Sequence, residues 1–205
     1  MFTMSLDIDR LGERTEAVNA NQPEFEEEFE DDYGLTIEDV EDVTGIFALI
    51  GDALEESNLV RFRVECFGSP WPVDVRTDLL TVLEQLSELL KFLNTPESTI
   101  GFLDFYEQGI ERQLVFSKIE DNLVKLNCHK LLEYAGKQEQ DWGQELEEEP
   151  IKLASLNLMI CNLIKSFVAI ADELCPTLTS HKFFQEWCRE KYIADCLQNI
   201  KKSTT

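Results

Sequence analysis

The stretch that decides the fold is residues 99–128, which read TIGFLDFYEQGIERQLVFSKIEDNLVKLNC. Two runs rich in β-branched and aromatic residues, 99–106 and 110–116, are joined by three residues that include Gly109. This pattern is typical of a β-hairpin. A second turn near 120–122 leads to a third run of the same kind. The sequence therefore predicts an antiparallel meander of three strands.

Upstream of this meander, residues 59–67 alternate between apolar and charged side chains. Alternation with a period of two is typical of a strand that is buried on one face only. Gly and Pro in the segment 68–72 are expected to end this strand and lead into a helix. The residues expected to face the core are Val60, Phe62, Val64 and Cys66.

Two long helices are predicted from apolar residues that step by three and four. The first is capped by Asp74 or Thr77 and runs to about Asn94, and the second starts near Pro150 and covers 153–174. A last helix is expected from Thr179 or Ser180 to about residue 200. This order predicts an α+β fold, with an antiparallel sheet of about four strands and helices packed on one face. The core residues expected are Leu83, Leu86, Leu90, Leu156, Leu163 and Phe167.

The charge of the chain is concentrated at its N-terminal end. The net charge is −23, and residues 1–58 carry eighteen Asp and Glu against two Arg, which leaves −16 in this part. We predict an acidic, weakly ordered arm at 1–34 and a single α+β domain at 35–205. Within the arm, Phe25, Phe29 and Tyr33 could instead form the apolar stripe of a short docking helix. One or two short helices are expected over 36–57.

Several classes of function are disfavoured by the composition. A pI near 4.3 argues against direct binding to nucleic acid, because Lys and Arg are needed to neutralise phosphates. The N-terminus does not resemble a signal peptide, and polar residues interrupt 153–174, so no membrane span is expected. The six cysteines form no CxxC pair, and we interpret them as reduced thiols of a cytoplasmic protein.

No motif for catalysis, nucleotide binding or metal binding is present in the sequence. Cys128 and His129 are adjacent, but neighbours on a strand point to opposite faces and cannot form a dyad. His181 and Cys188 could share a helix face, yet two ligands are too few for a zinc site. We therefore expect no cofactor and no catalytic activity.

The candidate functional residues are those that could contact a partner. Trp71 either packs on the core or serves as an interface residue, since Trp is enriched at binding hot spots. The hairpin turn presents aromatic and acidic side chains, and the arm could attract a basic surface. The candidates are Glu26, Glu27, Glu28, Asp31, Asp32, Trp71, Tyr106, Glu107 and Glu111.

Residues 59–128 resemble, in a general way, the immunity proteins of bacterial toxin systems. The similarity lies in the strand at 59–67, the run WPVDVRTDL that opens the leucine-rich helix, and the run LDFYEQGIER. The resemblance implies a small acidic protein that neutralises a basic toxin or nuclease domain. The long acidic N-terminal segment departs from it. An adaptor or structural subunit of a larger assembly and an enzyme of unrecognised type remain the alternatives.

Overall fold

The computed structural model of the chain describes residues 2–9, 36–105, 111–120, 122–130 and 148–198. In these residues the protein has an α+β fold with two antiparallel sheets and helices that pack against them, which confirms the predicted fold class. One sheet has three strands in the order β1-β2-β3, and the other has four in the order β4-β5-β6-β7. The strands are β1 Thr3–Ile8, β2 Val60–Cys66, β3 Ser69–Trp71, β4 Ile100–Phe105, β5 Arg112–Glu120, β6 Leu123–Lys130 and β7 Glu148–Lys152.

The four-stranded sheet contains the meander predicted from residues 99–128. Strands β4, β5 and β6 follow one another in sequence and pair as antiparallel neighbours, with Leu103 opposite Leu114 and Leu114 opposite Cys128. Strand β7 was not predicted, because no strand was expected between the meander and the helix predicted near Pro150. Pro150 was expected at a helix start but lies within β7, opposite Lys125. It tolerates this place because β7 is an edge strand.

The three-stranded sheet is built on β2, whose residues alternate between buried and exposed as predicted. Strand β3 follows β2 after Phe67 and Gly68, which have φ values of 53° and 83°. A two-residue turn with positive φ at both positions matches the twist of the strands it joins. The segment 68–72 was expected to end the strand and lead to a helix, but it first adds this short third strand.

The predicted arm at 1–34 needs a correction at its start. Thr3–Ile8 forms β1, which pairs with β2 along its whole length and buries Phe2, Met4 and Leu6. The first residues of the chain thus belong to the folded domain, and the domain does not begin at residue 35. Residues 10–34 of the predicted arm lie outside the described residues.

Local sequence signals set the ends of the first two helices. Thr36 and Asp39 form a capping box on a 3₁₀ turn at Ile37–Asp39, and the Asp42 carboxylate accepts from Gly45 N at the start of α1 (Val43–Glu56). Asp74 accepts from Thr77 N and Asp78 N at the start of a π-helical turn, Val75–Leu79. That turn continues into α2 (Leu80–Asn94), so the predicted cap and end are confirmed.

The C-terminal helices agree with the prediction only in part. Helix α3 is Leu153–Leu174, as predicted, and it ends before Pro176. The prediction of a single last helix was wrong, because the backbone becomes extended at Glu190, with φ −54° and ψ 138°. Two short helices lie in its place, α5 Lys182–Arg189 and α6 Lys191–Gln198, and a one-turn helix, α4 Pro176–Thr179, precedes them.

The two sheets meet through their apolar faces. The rings of Phe2 and Phe116 lie 6.0 Å apart, and those of Trp71 and Phe105 lie 5.2 Å apart. Helix α2 packs on β4, and α3 packs on β1. All six predicted core residues are buried: Leu83, Leu86, Leu90, Leu156, Leu163 and Phe167.

The prediction of six reduced thiols was wrong for one pair. Cys161 of α3 and Cys196 of α6 form a disulfide bond. This bond ties the last described helix to the longest one. The other four cysteines are free: Cys66, Cys128, Cys175 and Cys188.

Candidate functional site: the outer face and edge of the four-stranded sheet

The outer face of the four-stranded sheet changes from apolar to polar across the strands. One row of paired residues runs from Phe102 through Val115 and Asn127 to Glu148. At its polar end, the Glu148 carboxylate accepts hydrogen bonds of 3.2 Å from Asn127 and from the Lys125 ammonium. Both contacts lower the pKa of Glu148, and the hydrogen bond from Asn127 is the largest single cause.

The apolar end of the same face lies on β4. Ile100 and Phe102 are each 50% exposed, whereas Gly101, Leu103 and Phe105 are buried on the opposite face. Large apolar side chains that stay exposed on an edge strand are uncommon in monomeric proteins, because such edges invite pairing with another chain. Ile100 and Phe102 are thus two exposed apolar side chains on one face of an edge strand, as Ile119 and Leu158 are elsewhere on the surface.

The free edge of β4 is closed at one end by a side chain of α2. Gln85 Oε1 accepts from Asp104 N at 2.7 Å, and Gln85 Nε2 donates to Asp104 O at 3.0 Å. The Gln85 amide thus pairs with the strand as the peptide group of a neighbouring strand would. Both backbone groups of Asp104 must point away from β5 to make these bonds.

The same geometry indicates where the backbone groups of Ile100 and Phe102 point. Backbone groups alternate between the two edges of a strand, so these residues share the direction of Asp104. The hydrogen bond from Lys118 N to Thr99 O supports this direction. It shows that the carbonyl of Thr99 points towards β5, so the backbone groups of the next residue, Ile100, point away from β5. Within the described residues, no side chain pairs with Ile100 or Phe102 as Gln85 pairs with Asp104. We call Ile100–Phe102 the open edge.

Three exposed carboxylates lie on the two elements next to the open edge, helix α2 and the loop that precedes β4. Helix α2 runs antiparallel to β4, because Gln85 contacts Asp104 while Phe92 lies against Gly101. Glu84 and Glu88 are exposed on the turns of α2 next to Gln85, and Glu97 is exposed in the loop before β4. We call Glu84, Glu88 and Glu97 the acidic border.

Two lysines near the acidic border are already engaged. Lys91 pairs with Glu88 at 3.1 Å on the helix surface. Lys118 Nζ donates to Phe92 O at 2.6 Å and to Thr95 O at 2.8 Å, so it satisfies carbonyls at the end of α2. Its pKa is lowered by burial and raised, to a smaller extent, by Glu97. Lys91 thus offsets the charge of Glu88, and Lys118 interacts with Glu97, so Glu84 is the border carboxylate for which no cation is described.

A second acidic surface lies on and around α1. The segment 36–57 contains seven Asp and Glu and no Lys or Arg, and we call it the acidic segment. Its Asp52 pairs with Arg76 at 2.6 Å. Glu38 and Glu41 are exposed before α1, and Glu55 and Glu56 are exposed at its end. Among the described residues these four glutamates have no ion-pair partner.

The predicted contact residues are distributed differently from what the sequence suggested. Trp71 is 5% exposed and packs edge-on against Phe105, so it belongs to the core and does not present a contact surface. Glu111 is half-buried at the start of β5 with a φ of 42°. The other candidates lie outside the described residues: Glu26, Glu27, Glu28, Asp31, Asp32, Tyr106 and Glu107.

The open edge itself was not predicted from the sequence. The run Ile-Gly-Phe-Leu-Asp-Phe is apolar on both faces of the strand, so it does not reveal which face is exposed. The contribution of Gln85 was also invisible, because it depends on a contact nineteen residues along the chain. The only available signal was that Ile100 and Phe102 share a face with Asp104.

The thiols show no sign of activation as nucleophiles. Burial, and to a smaller extent Asp172, raises the pKa of Cys175 to about 12 and that of Cys188 to about 11. Burial, followed by the charge of Glu149, also raises the pKa of Cys66. Because the thiolate is the reactive species, these raised pKa values disfavour the reactive form of the three thiols at neutral pH.

The two Cys and His pairs that were considered and disfavoured on sequence grounds lie as follows. Cys128 is half-buried and packs against the core, while the adjacent His129 is exposed. His181 precedes α5 with its ring 5.4 Å from that of Phe183. In the part of the chain that the structure describes, no group of three or more His, Cys, Asp or Glu side chains could hold a metal ion.

Helix α3 is long and apolar enough to span a membrane by length and composition. The core helix of a water-soluble protein passes the same test, and eight residues of α3 are buried within the fold. Length and composition are therefore weak evidence that α3 spans a membrane.

Comparison of the chain with protein-family models, with curated proteins and with solved structures finds no match.

Proposed function

We propose that this chain is a non-catalytic binding protein that recognises a basic protein partner, as an immunity protein recognises a toxin or nuclease domain. The observation that carries the proposal is the acidic segment, where four exposed glutamates have no described counter-charge. Carboxylates held apart from cations create a field that attracts a basic surface from solution. Such a field raises association rates by roughly 10- to 1,000-fold and is suppressed by salt.

Three further features support this proposal. The net charge of −23 disfavours contact with nucleic acid or an anionic membrane. The raised pKa values of the buried thiols Cys66 and Cys175 disfavour their thiolate forms at neutral pH. The surface around the open edge has an apolar centre and an acidic border, the arrangement of a protein interface with a desolvated core and a polar rim.

The proposal is tested by affinity capture from the native source, followed by kinetics with the purified partner. We expect one stoichiometric partner with a basic pI, and an association rate that falls as ionic strength rises. A variant with Glu38, Glu41, Glu55 and Glu56 changed to Gln should associate more slowly at low salt and lose most of the salt dependence.

The matched control removes four charges from the C-terminal helices instead: Asp172→Asn, Glu186→Gln, Glu190→Gln and Asp195→Asn. A second variant changes the predicted arm residues Glu26, Glu27, Glu28, Asp31 and Asp32 to Ser and measures the contribution of the arm. Capture of a multi-subunit assembly with no basic member would contradict the proposal and favour an adaptor. Equal association rates for all variants at every salt concentration would also contradict it.

A further inference from the structure

We infer that the partner is bound as an added β-strand: an extended segment with alternating apolar and basic side chains pairs with the open edge of β4. This inference rests on the proposed function and specifies the site and the form of the partner. The strand would extend the four-stranded sheet on the β4 side, with its apolar side chains beside Ile100 and Phe102.

The backbone geometry provides the first argument. Ile100 and Phe102 each direct one N–H and one C=O away from β5, as the Gln85 contacts of Asp104 show. These four groups can pair with an incoming strand, which is how an extended peptide adds to a sheet edge. Gln85 already pairs with Asp104, the next residue whose backbone groups point away from β5, so the added strand is limited to the stretch before Asp104.

The side chains provide the second argument. Ile100 and Phe102 are 50% exposed on the outer face, and Val115 lies beside Phe102 on β5. Together they form an apolar surface onto which alternate side chains of an added strand would project. Affinity in this mode comes from main-chain hydrogen bonds, and specificity comes from such side-chain contacts.

The charge provides the third argument and determines the chemistry of the occupant. Glu84, Glu88 and Glu97 are exposed on α2 and in the loop before β4; Lys91 offsets the charge of Glu88, and Glu84 and Glu97 have no ion pair among the described residues. A second copy of this chain would bring the same carboxylates against them and add another −23 of net charge. A segment with Lys or Arg at alternate positions places cations next to these carboxylates instead.

The experiment uses the full chain and two synthetic peptides. The first is an acetylated and amidated Lys-Val-Lys-Val-Lys-Val-Lys heptamer, and the second is the same heptamer with every interior amide nitrogen methylated. Both carry the same charge, but the second cannot donate strand hydrogen bonds. We expect the methylated peptide to bind at least about tenfold more weakly, which corresponds to about 1.4 kcal/mol. Binding is measured by isothermal titration calorimetry at low salt.

The site is located with two variants of one residue. Phe102→Pro removes the outward N–H, while Phe102→Val keeps the donor and an apolar, β-branched side chain. Proline is tolerated on an edge strand where its N–H would face away from the ladder. We expect Phe102→Pro to weaken binding of the unmethylated peptide about tenfold or more and Phe102→Val to change it less than about threefold. Amide exchange at Phe102 should slow when the unmethylated peptide binds to the wild type.

The outcomes separate this inference from the proposed function. If both peptides bind equally and amide exchange at Phe102 is unchanged, the peptides are captured by charge alone. That result overturns the inference of strand addition at the open edge but leaves the proposed function intact. A dimer of the wild type that Phe102→Pro abolishes identifies a second copy as the occupant and also overturns the inference. If Phe102→Pro does not fold, the comparison of the two peptides on the wild type decides. A captured natural partner that is not basic contradicts the proposed function itself.

Discussion

Reduction of the Cys161–Cys196 bond should lower the stability of the domain by a measurable amount. The two cysteines are 35 residues apart in sequence. For a loop of that length, the chain-entropy estimate of disulfide stabilisation is about 4 kcal/mol at 25 °C. Reduction leaves both sulfur atoms buried between α3 and α6, so little packing should be lost with the bond.

The measurement is guanidinium unfolding of the oxidised and reduced forms, followed by circular dichroism. We expect a decrease in unfolding free energy of about 4 kcal/mol and a decrease in Tm of about 8–16 °C, from the entropy of unfolding of a domain this size. The matched control is the double variant Cys161→Ala and Cys196→Ala, whose stability should not respond to the reductant. Equal midpoints for the two wild-type forms, or six titratable thiols after denaturation without reductant, would refute the bond or its contribution.

Three further outcomes are expected for the stability of the domain. Above pH 9, the unfolding free energy should fall by up to about 1.4 kcal/mol per pH unit for each of Cys66, Cys175 and Cys188. The folded pKa values of these thiols lie above the ordinary value of 9.0, so the unfolded state releases the protons first. Constant stability from pH 8 to 10.5 would contradict this expectation. Gly101→Ala should cost about 1–3 kcal/mol in denaturant titrations, since an added Cβ lies 2.7 Å from the Phe92 ring, whereas the control Gly45→Ala in α1 should be neutral or stabilising. Leu163→Ala should cost about 2–5 kcal/mol, and a cost below about 1 kcal/mol would mean that this side of α3 does not pack as the structure shows.

The elements that sequence analysis identified correctly are those with a strong local period. The alternation in β2 and the steps of three and four in α2 and α3 depend only on which side of one element is buried. Strand β1 has the same alternation, with Phe2, Met4 and Leu6 buried, but the acidic composition of the segment 1–34 obscured it. The average charge of a long segment therefore says little about a short alternating pattern within it.

Strand β7 could not have been predicted by the same reasoning. It reads Glu-Glu-Pro-Ile-Lys, and its Glu149 is only 7% exposed. The buried carboxylate is acceptable because Glu149 Oε2 accepts from Phe67 N at 3.2 Å, eighty-two residues away. That bond also holds the turn between β2 and β3 against the four-stranded sheet. Local propensity contains no information about such a contact.

The distribution of strands between two sheets and the choice of cysteine pair also depend on long-range contacts. An alternating strand specifies a buried face but not a neighbour, so β2 was expected to join the meander and instead pairs with β1 and β3. The six cysteines have no spacing that favours one pair. Cys161 and Cys196 meet because α6 packs on α3. That packing follows from the break in the helix at Glu190, and no Gly or Pro in the sequence predicts this break.

The two acidic surfaces and the open edge should act on different steps of binding, and this difference can be measured. Glutamates of the acidic segment act at a distance, so their removal should slow association and leave dissociation nearly unchanged. The open edge acts only after contact, through short-range hydrogen bonds, so Phe102→Pro should speed dissociation and leave association nearly unchanged. Stopped-flow kinetics of the captured partner, at several salt concentrations, give both rates for each variant. If loss of Glu38, Glu41, Glu55 and Glu56 changes only dissociation, the acidic segment is part of the contact surface. If Phe102→Pro changes only association, the open edge does not hold the bound partner. Either result shows that the division of roles between charge and edge is wrong.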